Sequence, residues 1–130
     1  MTVELKYLAL VTTFTALMWV PYILDMIMVR GVLDAVGYPE NPKPLAPWAT
    51  RMKAAHYNAV ENLVVFAALV LIADAAHVGG EAAALACIIY FWARVVHFVA
   101  YTCRIPWVRT LAFIVGAGCQ LTLAYQIFTF

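Results

Sequence analysis

In 130 residues, 66% of them hydrophobic and 12% charged, the chain carries more apolar side chain than one water-soluble domain can bury, and its mean hydropathy of +0.89 agrees. A net charge of +1 with no basic run argues against a nucleic-acid partner. Cys87, Cys103 and Cys119 are odd in number and lack CxxC spacing, which argues against a disulfide framework or a metal site and for small buried hydrophobes. The expectation is an integral membrane protein.

The first element is predicted over about 5–29. Tyr7 to Leu24 holds no charge, and the segment is long enough to span a hydrocarbon core of ~30 Å. It lacks the basic region and cleavage site of a removable leader, so it is expected to be retained. Pro21 should bend or loosen it near its end. Asp25, one turn further, is either an interfacial carboxylate or a group inside the bundle. Gly31 to Pro47 holds four of the six prolines and reads as a loop.

A second helix is predicted over about 48–76, with Pro47 suited to its first turn, Trp48 at the membrane interface and Gly79-Gly80 closing it. Asp74 and His77 mark its far end. Arg51, Asn58, Glu61 and Asn62 fall within an arc of roughly 100° on this helix, whereas Lys53 and His56 point elsewhere. The third helix, about 81–104, has Cys87, Tyr90, Arg94, His97, Tyr101 and Arg104 spaced 3, 4, 3, 4, 3, which places all six on one face. The fourth, about 106–130, opens on Arg109-Thr110 and then holds no charge. Gly116 and Gly118 would let a neighbour approach closely. Residues 1–130 thus read as one all-α domain, an integral membrane four-helix bundle.

The two connections at one end, with adjoining helix ends, hold Arg30, Lys43, Arg51, Lys53, Arg104 and Arg109, against Lys6 alone at the other. The positive-inside rule therefore predicts both termini outside and those connections in the cytoplasm. Glu61 and Arg94 fall at similar depth, where an unpaired charge costs ~2.5–3.5 kcal/mol on the lenient scale. They are expected to pair, flanked by Asn58 and Tyr101. Arg51, Arg94, Arg104 and Arg109 still outnumber the anions at that end, Glu61 and Asp25. Surplus guanidinium groups facing a cavity imply an anionic ligand.

At these residues the chain resembles a known family. Arg51, His56, Asn58, Glu61 and Asn62 look like the R-x-x-[RK]-A-H-x-N-x-x-E-N signature of the membrane-associated proteins in eicosanoid and glutathione metabolism (MAPEG). Arg94, His97, Tyr101, Arg109 and Thr110 match the second signature, R-x-x-H-x-x-x-Y followed by a short loop and R-[ST], and Trp19 to Tyr22 is similar to bacterial members. The resemblance implies a homotrimer of four-helix protomers that binds glutathione between protomers, near the cytoplasmic face. The implied activity is a glutathione-dependent transferase or peroxidase, its lipophilic substrate arriving from the membrane lipids. Arg109 and Thr110 would be catalytic, Arg109 stabilising the thiolate of the co-substrate. Arg51, Asn58, Glu61, Arg94, His97, Tyr101 and Arg104 would hold the glutathione. A thiol with pKa near ~8.5 needs such a cation to become nucleophilic at neutral pH. Ala54 stands where many members carry a basic residue that contacts the peptide. Two other functions compete: a non-catalytic lipid-binding member of the family, and a small four-helix proton-coupled multidrug exporter with Glu61 as its carboxylate. Arg94 opposes the exporter, because a buried guanidinium repels a cationic drug.

Overall fold

The computed structural model describes residues 1–130 and contains six helices: α1 (Val3–Leu17), α2 (Trp19–Arg30), α3 (Val32–Val36), α4 (Pro47–Ala75), α5 (Glu81–Thr102) and α6 (Pro106–Thr129). α1 and α2 make one interrupted rod, so four rods of 28, 29, 22 and 24 residues are long and apolar enough to cross a membrane. The chain is an all-helical, multi-pass membrane bundle. The interruption falls at Met18, earlier than a bend placed at Pro21. Pro21 has no N–H to donate to the carbonyl of Leu17, and its ring crowds that carbonyl. The turn before it therefore tightens, and the Met18 N–H bonds to Thr15 O at 3.3 Å.

Helix ends follow local chemistry. Thr2 Oγ1 accepts from the Leu5 N–H at 3.2 Å to start α1. Pro47 and Pro106 open α4 and α6, where a missing N–H breaks no intrahelical bond. α4 and α5 close with the same paired bonds: Val78 N to Ala73 O (2.8 Å) with His77 N to Asp74 O (3.1 Å), and Ile105 N to Ala100 O (2.8 Å) with Arg104 N to Tyr101 O (3.3 Å). This closure needs one left-handed residue, usually glycine. Here His77 (φ 55°) and Arg104 (φ 61°) occupy it. The connection read as a loop contains the short α3.

Only 24 of the 130 residues are buried, which leaves large apolar side chains such as Leu17, Leu71, Leu85, Trp92 and Leu121 on the outside for lipid to cover. The dry core lies in the half of the bundle away from the 31–46 connection, around Val11, Phe66, Val70, Ala83, Ala86, Cys87, Tyr90, Cys119 and Leu123. The ring of Phe66 stacks on Tyr90, centroids 3.7 Å apart and 9° from parallel. Alanines at 83, 86, 93 and 100 let the neighbours of α5 close in. Gly116 lies under Tyr90 and the Arg94 stem, but a Cβ there would meet them at 3.7–3.8 Å, an ordinary contact. Gly118 approaches nothing within 4 Å. Cys87 and Cys119 are buried; Cys103, expected to be, is exposed, because α5 ends just before it.

Three hydrogen bonds fasten α2 to α4 and to the connection that precedes it. Buried Asp25 accepts the Ala46 N–H at 2.9 Å, at the N-cap of α4. The Tyr22 hydroxyl and His56 Nδ1 share a bond of 2.6 Å. Arg30 Nε donates to Lys43 O at 2.7 Å. Asp25 is thus a group inside the bundle, and the proline-rich connection is tied to α2 near its α4 end, at Lys43 and Ala46.

Candidate anion-binding site at one end of the bundle

Two cross-links set α4 against α5. Arg51 Nε donates to Thr102 O at 3.0 Å, and Arg94 Nη2 donates to Asn58 Oδ1 at 2.7 Å. Asn58 is two turns beyond Arg51, and Arg94 two turns before Thr102, so antiparallel helices in this register meet at both points. On α5 the polar stripe faces inward: Cys87, Tyr90, Arg94 and His97 are buried, Tyr101 is half-buried, and Arg104 beyond the helix end is exposed.

Arg94, 1% exposed, lacks the partner expected for it. Glu61 is exposed, and the guanidinium bonds instead to Asn58 and, at 3.4 Å, to His97 Nδ1. Arg94 meets α4 at Asn58, about one turn from Glu61, and it is azimuth that keeps the carboxylate away. Glu61 is turned ~60° from Asn58 about the helix axis, toward the open face shared with Tyr57, Val64 and Val65. An arginine can only donate, so Asn58 must present its oxygen to it and His97 must accept through Nδ1. The NH₂ of Asn58 is left to donate elsewhere, and a neutral His97 carries its proton on Nε2. Asn62 Nδ2 supports Asn58 from one turn on, donating to its carbonyl at 2.9 Å and to Oδ1 at 3.3 Å. Gln120 Nε2 then donates to Asn62 O at 3.1 Å, fixing α6 to α4. The Nε of Arg94 and the hydroxyl of Tyr90 are buried without a partner.

Below this network two hollows share a wall. Asn58, His97, Tyr101, Arg109, Thr110 and Phe113 line one of about 280 Å³. Arg51, Ala100, Tyr101, Arg104, Ile105, Pro106 and Arg109 line the other, about 190 Å³. The wall is Tyr101 with Arg109, whose guanidinium carbon stands 4.9 Å from the ring centroid. Side chains from α4, α5 and α6 so converge on both hollows, and neither has a carboxylate in its lining. The surface offered is one of hydrogen-bond donors.

Among protein families, the chain matches the MAPEG family over residues 8–129. The chain belongs to the MAPEG family. No curated protein matches it. Membership places it with membrane proteins of glutathione and lipid metabolism in general. Of the residues that the MAPEG resemblance singled out, Asn58, His97, Tyr101, Arg109 and Thr110 come together around the larger hollow. Arg94 stands behind them, holding Asn58 and His97. Arg51 and Arg104 fall across Tyr101 in the smaller hollow, and Glu61 lies outside both. Ala54 presents no polar group to either. Phe113 and Gln120 were missed by the sequence reading. Gln120 had a legible signal, since 11 residues after Arg109 is close to three full turns, the same face of α6.

Proposed function

We propose that the protein is a membrane-bound glutathione transferase or peroxidase acting on lipophilic electrophiles, and that glutathione occupies the larger hollow. The observation that carries this reading is the joining of Arg109 and Thr110 on α6 with Tyr101 and His97 on α5 and Asn58 on α4 around one hollow lined with donors. A peptide with two carboxylates and an ionisable thiol suits such a surface. Asn58, through its NH₂, and Tyr101 bind the peptide, and Arg94 keeps Asn58 and His97 in place. Arg109 lowers the pKa of the thiol, and the Thr110 hydroxyl donates a further hydrogen bond to the sulfur. In conjugation the thiolate sulfur forms a bond to the electrophilic carbon, and the leaving group departs with its electron pair. The homotrimer implied by the family would cover the open face of α4 and bring Glu61 to the amino group of glutathione at a protomer boundary. The site would face the cytoplasm.

Detergent-purified protein titrated with glutathione should show thiolate absorbance at neutral pH. Arg109→Ala should lose the thiolate signal and most turnover with a lipophilic electrophile while still binding the peptide. Full turnover in Arg109→Ala would reduce this arginine to an interfacial anchor. A non-catalytic, lipid-binding role is the second reading, favoured by Ala54. Its mark would be wild-type protein that forms no thiolate and turns over no electrophile.

A further inference from the structure

We propose that the smaller hollow, between the start of α4 and the α5–α6 turn, is a second anion site, and that it takes a phosphate group. This goes beyond the glutathione reading and does not depend on it. Arg51, Arg104 and Arg109 line the hollow together, with no acidic residue beside them. Two of the three are held from behind. Arg51 Nε is fixed on Thr102 O, which leaves its terminal nitrogens to donate, and Arg109 lies over the face of Tyr101. Arg104 occupies the left-handed position that closes α5, where glycine is the unstrained choice. An arginine there keeps a guanidinium at the rim against the preference of its own backbone.

Three guanidinium groups carry donors and no acceptor. A carboxylate presents two oxygens, which a single arginine fork can satisfy; a phosphate presents more acceptor oxygens and matches several forks at once. The remaining lining, Ala100, Ile105 and Pro106, is apolar, and exposed Trp107 follows directly, an aromatic side chain suited to the headgroup level of a bilayer. A lipid headgroup and free phosphate present the same chemistry to this hollow. Arg109 borders both hollows, so an anion on one side changes the charge felt on the other.

The test uses delipidated, detergent-purified protein and two probes. Phosphatidylglycerol is added back and the copies held are counted by mass spectrometry of the intact complex, and inorganic phosphate is titrated by calorimetry, each with and without saturating glutathione. Arg104→Gly relieves the left-handed backbone and should unfold no earlier than the wild type. Arg104→Asn, which also tolerates that backbone, is the second variant. The expected result is binding of at least one probe in the presence of glutathione, weakened about tenfold to a hundredfold in both variants, as for loss of a charge-assisted hydrogen bond. Binding of phosphatidylglycerol identifies a lipid headgroup as the source; binding of inorganic phosphate alone identifies a free phosphate. Equal binding by wild type and variants, or no binding of either probe, overturns the proposal. So does displacement of the probe by glutathione together with weaker glutathione binding in Arg104→Gly, since the two hollows would then be one site.

Discussion

Arg94 shows how a charge is kept inside an apolar bundle without a counter-charge. Its partners are an amide oxygen and a ring nitrogen, both neutral acceptors whose orientation it dictates. Replacing Asn58 by leucine leaves the guanidinium without its shortest bond in a low-dielectric interior, and should lower stability by about 1.5–3 kcal/mol. Asn58→Leu with Arg94→Leu should cost less than the two single losses added, as read from unfolding of the four proteins in detergent. His77 poses the opposite case, a side chain in a left-handed position with no hydrogen bond of its own to justify it. His77→Gly should raise stability by about 1 kcal/mol and shift thermal unfolding upward.

At the scale of helices, Asp25 decides where α4 begins. It belongs to the rod broken at Met18, and its carboxylate reaches the N–H of Ala46, a residue that no helical carbonyl can serve. Asp25→Ala should therefore speed hydrogen exchange at the Ala46 amide and cost about 1.5–3 kcal/mol, the range for a charged hydrogen bond. Unchanged exchange there would mean that the proline-rich connection holds α4 without it. The four apolar runs and their proline and glycine boundaries were legible in the sequence because length and hydropathy alone decide a membrane crossing. The break at Met18 was not, because a proline disturbs the turn before itself. The Glu61–Arg94 pairing failed for a related reason. A polar arc roughly 100° wide has two edges, and nothing in periodicity says which edge packs and which stays open. Gln120 belongs to neither motif and carries no charge, so only its spacing from Arg109 marks it.

For the whole molecule, the end that carries the arginines also carries an exposed cysteine. Cys103 lies at that end, while Cys87 and Cys119 are buried. This gives the orientation a test in the unmutated protein. If the arginine-rich end faces the cytoplasm, a membrane-impermeant maleimide should leave intact cells unlabelled and modify one cysteine per chain once they are permeabilised. Labelling of intact cells would turn the bundle over and put the hollows on the outer face. The same bundle is divided along its length. Apolar packing fills one half and hydrogen-bonded polar groups the other, so cavities at the polar end can exist without opening the core.

The bond from Gln120 to the carbonyl of Asn62 works as a ruler. It pins α6 at one height and one rotation, and the 11 residues back to Arg109 then carry that setting to the wall between the hollows. One residue added or removed between them would swing Arg109 by ~100° and shift it by ~1.5 Å while Gln120 stayed in place. The 31–46 connection can change length without altering that spacing. Kin of this chain that keep the same paired hollows should therefore vary freely in that connection and not at all in the count from Arg109 to Gln120.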